Sequence, residues 1–274
     1  MGKKKKLSKS LVEGVDKAFL WLESKKFIWR TPAFQKDFQK DYPLLATLQD
    51  NYPDIQRECK ALLKIKDSLM DVSAMAGDHT KGGIHAVKWK TFMFKSGFMV
   101  KNSRALCPVT YDTIKNIPHV SSAFFSILDP NQYIKAHRGY YQGIMRYHLG
   151  VIIPENNANS KCWVRVHDHI GDNLKYDKST IVKGEKYYWK NGDGIIFNDN
   201  YLHDAANESD QVRVILWLDL KRKMPPFFNA INSFFLFIAH ISPVLGKIKK
   251  RAEDYSAYLL KISKNKPELA DATT

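Results

Sequence analysis

The stretch IKAHRGYYQGIMRYHLG, residues 134–150, decides how this chain is read. It holds His137 and His148 eleven residues apart, two arginines and three glycines. Residues 145–153, which take in its end, are strand-like. Downstream, residues 162–166, 194–197 and 212–220 repeat that grammar, and residues 122–128 precede it. The turn clusters DPN, PENNANS, GDN, KNGDG and NES separate these segments. Short strands at such spacing predict a small β-sandwich or jelly roll.

Outside this region the pattern is helical. Leu11, Val12, Val15, Phe19, Leu20 and Leu22 give residues 7–29 an amphipathic helix. Residues 43–67 predict a short helix and then a second one opening at Pro53. Residues 68–120 are mixed, with a flexible-looking AGDHTKGG stretch. Residues 225–245, PPFFNAINSFFLFIAHISPVL, are strongly apolar. On a helical wheel Asn229, Asn232, Ser233 and His240 share one face. Phe228, Ile231, Phe234, Phe235, Ile238 and Ile241 share the other. A spanning helix needs about 20 apolar residues. The polar stripe and Pro243 favour instead a helix lying in a membrane surface, with KIKKR gripping headgroups. A helix packed on the β-core and a true span are the alternatives.

The 274 residues carry a net charge of +15, placed unevenly. Residues 1–30 hold nine Lys/Arg against three Asp/Glu, and residues 221–266 hold ten against two. Basic ends suit an anionic membrane surface or nucleic acid, or are simply solvated tails. Three scattered cysteines argue against a disulfide scaffold and against a cysteine zinc site. The first residues show neither a secretory signal nor a myristoylation pattern. No GxSxG, HExxH or Walker loop is present, which weakens hydrolytic readings.

Non-haem iron oxygenases hold metal through two histidines and a carboxylate, leaving positions open for co-substrate and oxygen. On a jelly roll the first pair normally reads His-x-Asp/Glu. Here His137 is followed by Arg138 and Gly139, so that carboxylate is missing. A late histidine exists in FNDNYLHDAAN, at His203. Arg213, in the strand VRVILWLDL, calls for an anion: a dicarboxylate co-substrate or a structural partner. His167-Asp168-His169 competes as a metal set, against an exposed hairpin end. His79, His85, His119 and His240 show no partner logic.

Taken together, CPVTYDTIKNIPHVSSAFFSILDPNQYIKAHRGYYQGIMRYHLGVIIP, then FNDNYLHDAAN, then VRVILWLDL, resemble the aspartyl/asparaginyl β-hydroxylase family over roughly residues 105–222. That resemblance implies a mainly β fold with flanking helices (α+β). Its centre would be a double-stranded β-helix, or jelly roll, with N-terminal helices and a C-terminal amphipathic helix. It divides the chain into a basic helical lead-in (1–104), a dioxygenase core (105–222) and a membrane-associating segment (223–274). The family binds iron through two histidines with glycine in the carboxylate's place, so His137 and His203 would be the ligands. Ser126, Arg146, His148 and Arg213 would hold 2-oxoglutarate. Asp199 would act on the metal through water, as our own weaker inference. Fe(II), 2-oxoglutarate and O2 are the implied cofactor and co-substrates, used to hydroxylate an unactivated C–H bond.

The central run looks closer to the bacterial lipid A acyl-chain hydroxylases than to polypeptide Asp/Asn hydroxylases. The expectation is 2-hydroxylation of a membrane lipid of the lipid A or ornithine-lipid type. The partners are then a lipid and an anionic membrane surface, and not nucleic acid. The expected location is the cytoplasmic side of the inner membrane, peripheral or monotopic, with the cytoplasm as alternative. Asp/Asn β-hydroxylation of a polypeptide, another small-molecule substrate and a non-catalytic binding module are the competing readings. Oligomeric state is not legible.

Overall fold

The computed structural model describes residues 14–15, 17–76, 87–139 and 141–264. The lysine run at 3–6, His79, His85 and most of AGDHTKGG lie outside them. Twelve strands are described: β1 (Phe34–Gln35), β2 (Met70–Asp71), β3 (Trp89–Ser96), β4 (Phe98–Met99), β5 (Val120–Leu128), β6 (Gln132–His137), β7 (Ile144–Ile152), β8 (Cys162–His167), β9 (Glu185–Tyr188), β10 (Gly194–Phe197), β11 (Leu202–Asn207) and β12 (Arg213–Lys221). The larger sheet runs β1-β10-β7-β12-β5-β3-β2, with β4 on β3, and the smaller runs β6-β11-β8-β9. All pairings are antiparallel. Two facing antiparallel sheets with flanking helices make the jelly roll expected from the turn spacing.

Period-two alternation gives the larger sheet two different faces. Phe92, Phe94, Phe125, Ile127, Tyr147, Leu149, Val151, Val214, Leu216 and Leu218 point to the helical side. There they meet Ile55, Cys59 and Leu62 of α1 (Tyr52–Leu63), spaced to share one helix face, and Tyr111 and Ile114 of α2 (Pro108–Asn116). The buried Glu58 carboxylate of α1 accepts from Val109 N (2.7 Å) and Thr110 N (2.9 Å), satisfying the amide donors that open α2. The opposite face meets the smaller sheet through Ile195, Phe197, Ile215, Ile134, Val164, Val166 and Ala205.

The sheet does not begin at residue 105. β3 pairs with β5 from Trp89↔Leu128 to Ser96↔Ser122, so the lead-in contributes strands to the same core. Its alternation is hard to read because six of its eight residues are buried. The C-terminal region is divided as well. α4 (Pro226–His240) and α5 (Pro243–Lys264) meet at a 55° bend. α5 places Leu259 in the main core, and its Glu253 accepts from Lys101 N at 2.8 Å. Among the described residues no single helix is long and apolar enough to cross a membrane; the bent pair passes that test only together.

α4 is inverted. Its polar stripe faces the protein: Asn232 is fully buried and Ser233 accepts from Lys221 Nζ at 3.2 Å. Its apolar stripe faces outward, with Phe227 71%, Phe234 61% and Phe237 59% exposed.

Candidate functional site

His137 closes β6 and His203 lies near the start of β11. The two strands pair with His203 directly opposite His137, and a bulge after His203 re-aims the strand. The imidazole centroids are 4.2 Å apart. Each Nδ1 lies against the carbonyl two residues back: His137 on Lys135 O (2.8 Å) and His203 on Tyr201 O (2.9 Å). A carbonyl only accepts, so Nδ1 carries the proton and Nε2 keeps its lone pair. Burial pushes His137 down to about 4 and His203 well below its ordinary value. Both rings are neutral at pH 7, the state a metal ligand requires.

No third carboxylate joins them from position 139. Gly139 N donates to Asp199 O at 2.7 Å, and a Cβ there would overlap the Asp199 carboxylate. Asp199 is buried and its Oδ2 lies 2.7 Å from Arg146 Nη2. Desolvation raises the Asp199 carboxyl to about 6, against the pull of Arg146. Arg146 is held on its other side by Asp219, 3.0 Å from Nε, and lies 3.6 Å above the Trp217 ring. Its charge is therefore matched by two carboxylates. Asp219 was absent from the residues picked out by sequence, although period two puts it on the face of Arg213 and Trp217.

The same face carries a second group of side chains. Trp217 pairs with His148, and Ile215 pairs with Gly150 on one side and Ser126 on the other. Arg213, 1% exposed, stacks 4.6 Å from the Trp189 ring, and its Nε and Nη1 have no hydrogen-bond partner. Burial lowers its guanidinium to about 10, so it stays charged at pH 7. His148 lies among Phe197 (4.9 Å), Trp217 (5.2 Å) and Trp189 (5.8 Å) with neither ring nitrogen bonded. Burial, and then the Arg146 and Arg213 charges, keep it neutral. Ser126 Oγ accepts from Trp89 Nε1 at 2.8 Å. A buried cation with open donors beside an unbonded imidazole is a costly arrangement unless an anion completes it. These orphaned donors fit a small carboxylate ligand, and the two open Nε2 atoms fit a divalent metal.

The rival set is placed differently. Asp168 pairs with Arg30 at 3.3 Å. His167 and His169 instead meet Asp172, at 2.9 and 3.2 Å. His169 Nδ1 also accepts from Asp172 N, capping the short helix α3 (Ile170–Lys175). The trio His167, His169 and Asp172 has metal-ligand types within reach of one another, and His169 Nδ1 already accepts the helix-capping bond from Asp172 N.

Residues 49–223 match the family model described as Aspartyl/Asparaginyl beta-hydroxylase. The chain is 31% identical over 206 residues to the ornithine lipid ester-linked acyl 2-hydroxylase of Rhizobium tropici, covering 74% of this chain and 66% of that protein. It is 28% identical over 200 residues to aspartate beta-hydroxylase domain-containing protein 2 of Xenopus tropicalis, covering 69% of this chain and 46% of that one. The chain thus spans between about half and two thirds of these relatives. Among solved structures, 38% of it aligns with a non-heme alpha ketoglutarate dependent carbocyclase from nogalamycin biosynthesis, at 13% identity and a TM-score of 0.29. With the family model covering the strands that carry His137, His203, Arg146 and Arg213, the chain belongs to the aspartyl/asparaginyl beta-hydroxylase family.

Proposed function

We propose that this protein is an Fe(II)- and 2-oxoglutarate-dependent hydroxylase that oxidises C2 of an acyl chain on a membrane lipid. The observation that carries the proposal is two neutral histidines on paired strands, each Nδ1 against a carbonyl, beside a buried arginine with open donors and a histidine whose ring nitrogens lack partners. His137 and His203 hold the metal. Arg213, helped by Ser126, receives the distal carboxylate of 2-oxoglutarate, and its fork suits a bidentate contact. His148 offers a ring donor to the same molecule. Arg146 lines this face and holds Asp199, which lies against Gly139 two residues after His137 and would support a metal held there from outside its ligand set.

When bound, the metal and 2-oxoglutarate supply oxidative decarboxylation coupled to insertion of one oxygen atom, taken from O2, into a C–H bond. The chain's own contribution is positioning. The carbonyls of Lys135 and Tyr201 fix both imidazole tautomers before metal arrives, and Trp217, Trp189 and Phe197 exclude water around His148. Gly139 offers no side-chain ligand, and a side chain there would meet Asp199.

The lipid substrate is supported by the Rhizobium relative and by the outward apolar stripe of α4. That stripe and the basic residues after it support an anionic membrane surface as the partner, which in this proposal is the cytoplasmic side of the inner membrane. Asp/Asn β-hydroxylation of a polypeptide is the second reading, favoured by the Xenopus relative. The deciding experiment is mass spectrometry of total lipid and lipid A from cells with the gene, without it, and with His203→Ala. Gain of one oxygen on an acyl chain, lost in the variant, is expected. Unchanged lipids from cells whose purified protein consumes 2-oxoglutarate with an Asp-containing peptide would move the substrate to polypeptides.

A further inference from the structure

The link between β6 and β7 begins directly after the metal-side His137, and α4 grips it. Tyr141 Oη donates to Asn232 Oδ1 at 2.8 Å, and Asn232 Nδ2 donates to Gly143 O at 2.8 Å. A Cβ at Gly143 would overlap Asn232 and the Tyr141 ring, so helix and link are in close contact. The other end of the link is tied to the site. Gly139 N donates to Asp199 O, and Arg138 Nε donates to Asn200 O at 2.6 Å. Asn200 Nδ2 in turn donates to Tyr141 O. Asn232 is thus the buried end of a short bonded path from an exposed helix to the backbone beside His137. A buried asparagine bonded on both sides of its amide fixes geometry more than it adds stability.

The outer face of that helix has no partner among the described residues. Phe227, Phe234, Phe237, Ile238 and Ile241 form its exposed stripe. Lys247, Lys249, Lys250 and Arg251 follow within the next turns, in a region holding ten Lys/Arg against two Asp/Glu. Trp21, Phe27 and Trp29, also exposed, lie on the segment whose Phe19 and Ile28 pack with Phe228. An apolar stripe beside concentrated positive charge complements a leaflet with anionic headgroups. A protein partner would be expected to meet a more mixed surface.

We propose that α4 docks on an anionic phospholipid leaflet and that Asn232 transmits this seating through Tyr141 and Gly143 to Arg138 and Gly139, beside the metal-side His137. The inference rests on the lipid reading of the site. Asn232 is a positioning residue: it touches no substrate, and its effect runs through Tyr141 and Gly143.

The test uses the full chain with vesicles of phosphatidylcholine, with or without phosphatidylglycerol. Wild type is expected to sediment with the phosphatidylglycerol vesicles, and the double variant Phe234→Ser, Phe237→Ser to remain in the supernatant. In hydrogen exchange, those vesicles should slow the amides of residues 138–143 in wild type. Asn232→Ala should sediment as wild type does yet lose the slowing. Tyr141→Phe, which removes one hydroxyl, should show the same loss if Asn232→Ala does not fold. Wild type left in the supernatant overturns the docking. Slowing that persists in a folded variant overturns the relay. Docking and relay without any oxidised lipid in the cells would keep this inference and sink the acyl-chain substrate.

Discussion

At the scale of single residues, the site is governed by which charges are matched. Arg146 has two carboxylates, whereas Arg213 has open donors in a dry environment. Replacing an uncompensated buried cation with an apolar residue of similar volume is often neutral or stabilising. Arg213→Met should therefore melt no lower than wild type without ligand, yet lose about a hundredfold or more in 2-oxoglutarate affinity. Calorimetric titration and thermal melts read the two effects separately. Gly139→Asp, which would restore the usual His-x-Asp pattern, should fail as a third ligand. Its side chain meets Asp199, and overpacking of this kind costs about 1–3 kcal/mol. A lowered melting temperature without tighter metal binding is the expected result. The histidines set the pH response of the metal-free protein. His137, His148 and His203 are neutral when folded and all shifted below 6.5, so the unfolded chain binds more protons in acid. Stability should be flat above pH ~6.5 and fall as pH drops toward the folded value of about 4 for His137, by up to about 1.4 kcal/mol per pH unit per group. Melting curves between these limits check the sign.

At the scale of elements, legibility followed periodicity. The alternation in residues 144–152 put Arg146 and His148 on one face, and the same rule applied to 213–219 gives Arg213, Trp217 and Asp219. The resemblance implied His137 and His203 as ligands of one metal, but their opposition across β6 and β11 depends on which strands pair and on the bulge. β3 escaped notice because both of its faces are covered. The contact of Gly139 with Asp199 could not be read at all, since it arises where a loop meets a strand end distant in sequence. For 225–245 the wheel separated the two faces but could not say which faced the protein. That inversion has a direct test. Leu236 is buried and Phe237 is its exposed neighbour. Leu236→Ala should cost about 2–3 kcal/mol of stability in lipid-free buffer, and Phe237→Ala under about 0.5 kcal/mol, reversing the order that residue size alone would give.

At the scale of the whole molecule, the segments around Glu23 and α5 are bound into the core. Glu23 and Arg222 form a buried ion pair at 3.0 Å, and Tyr201 donates to the same Glu23 carboxylate. α5 adds Leu259 to the main core and Ala252 to a smaller cluster. Ending the chain after Ile241 removes the α5 contacts of Ala252 and Leu259, so the shortened protein should lose several kcal/mol and aggregate on expression. Denaturant melts of the soluble remainder would measure the loss.

The strand order has a consequence for synthesis. β12, the last strand made, occupies the position between β7 and β5. Until residues 213–221 leave the ribosome, the growing chain holds two half-sheets with facing open edges, β3 and β5 on one side, β7 and β10 on the other. Such edges recruit other strands, so a nascent chain stalled before residue 213 is an aggregation hazard and a natural client for chaperones. Arg213 opens the strand that ends this interval. Closure of the sheet and arrival of that guanidinium are a single event, so a newborn molecule that still cannot close is also one that lacks it.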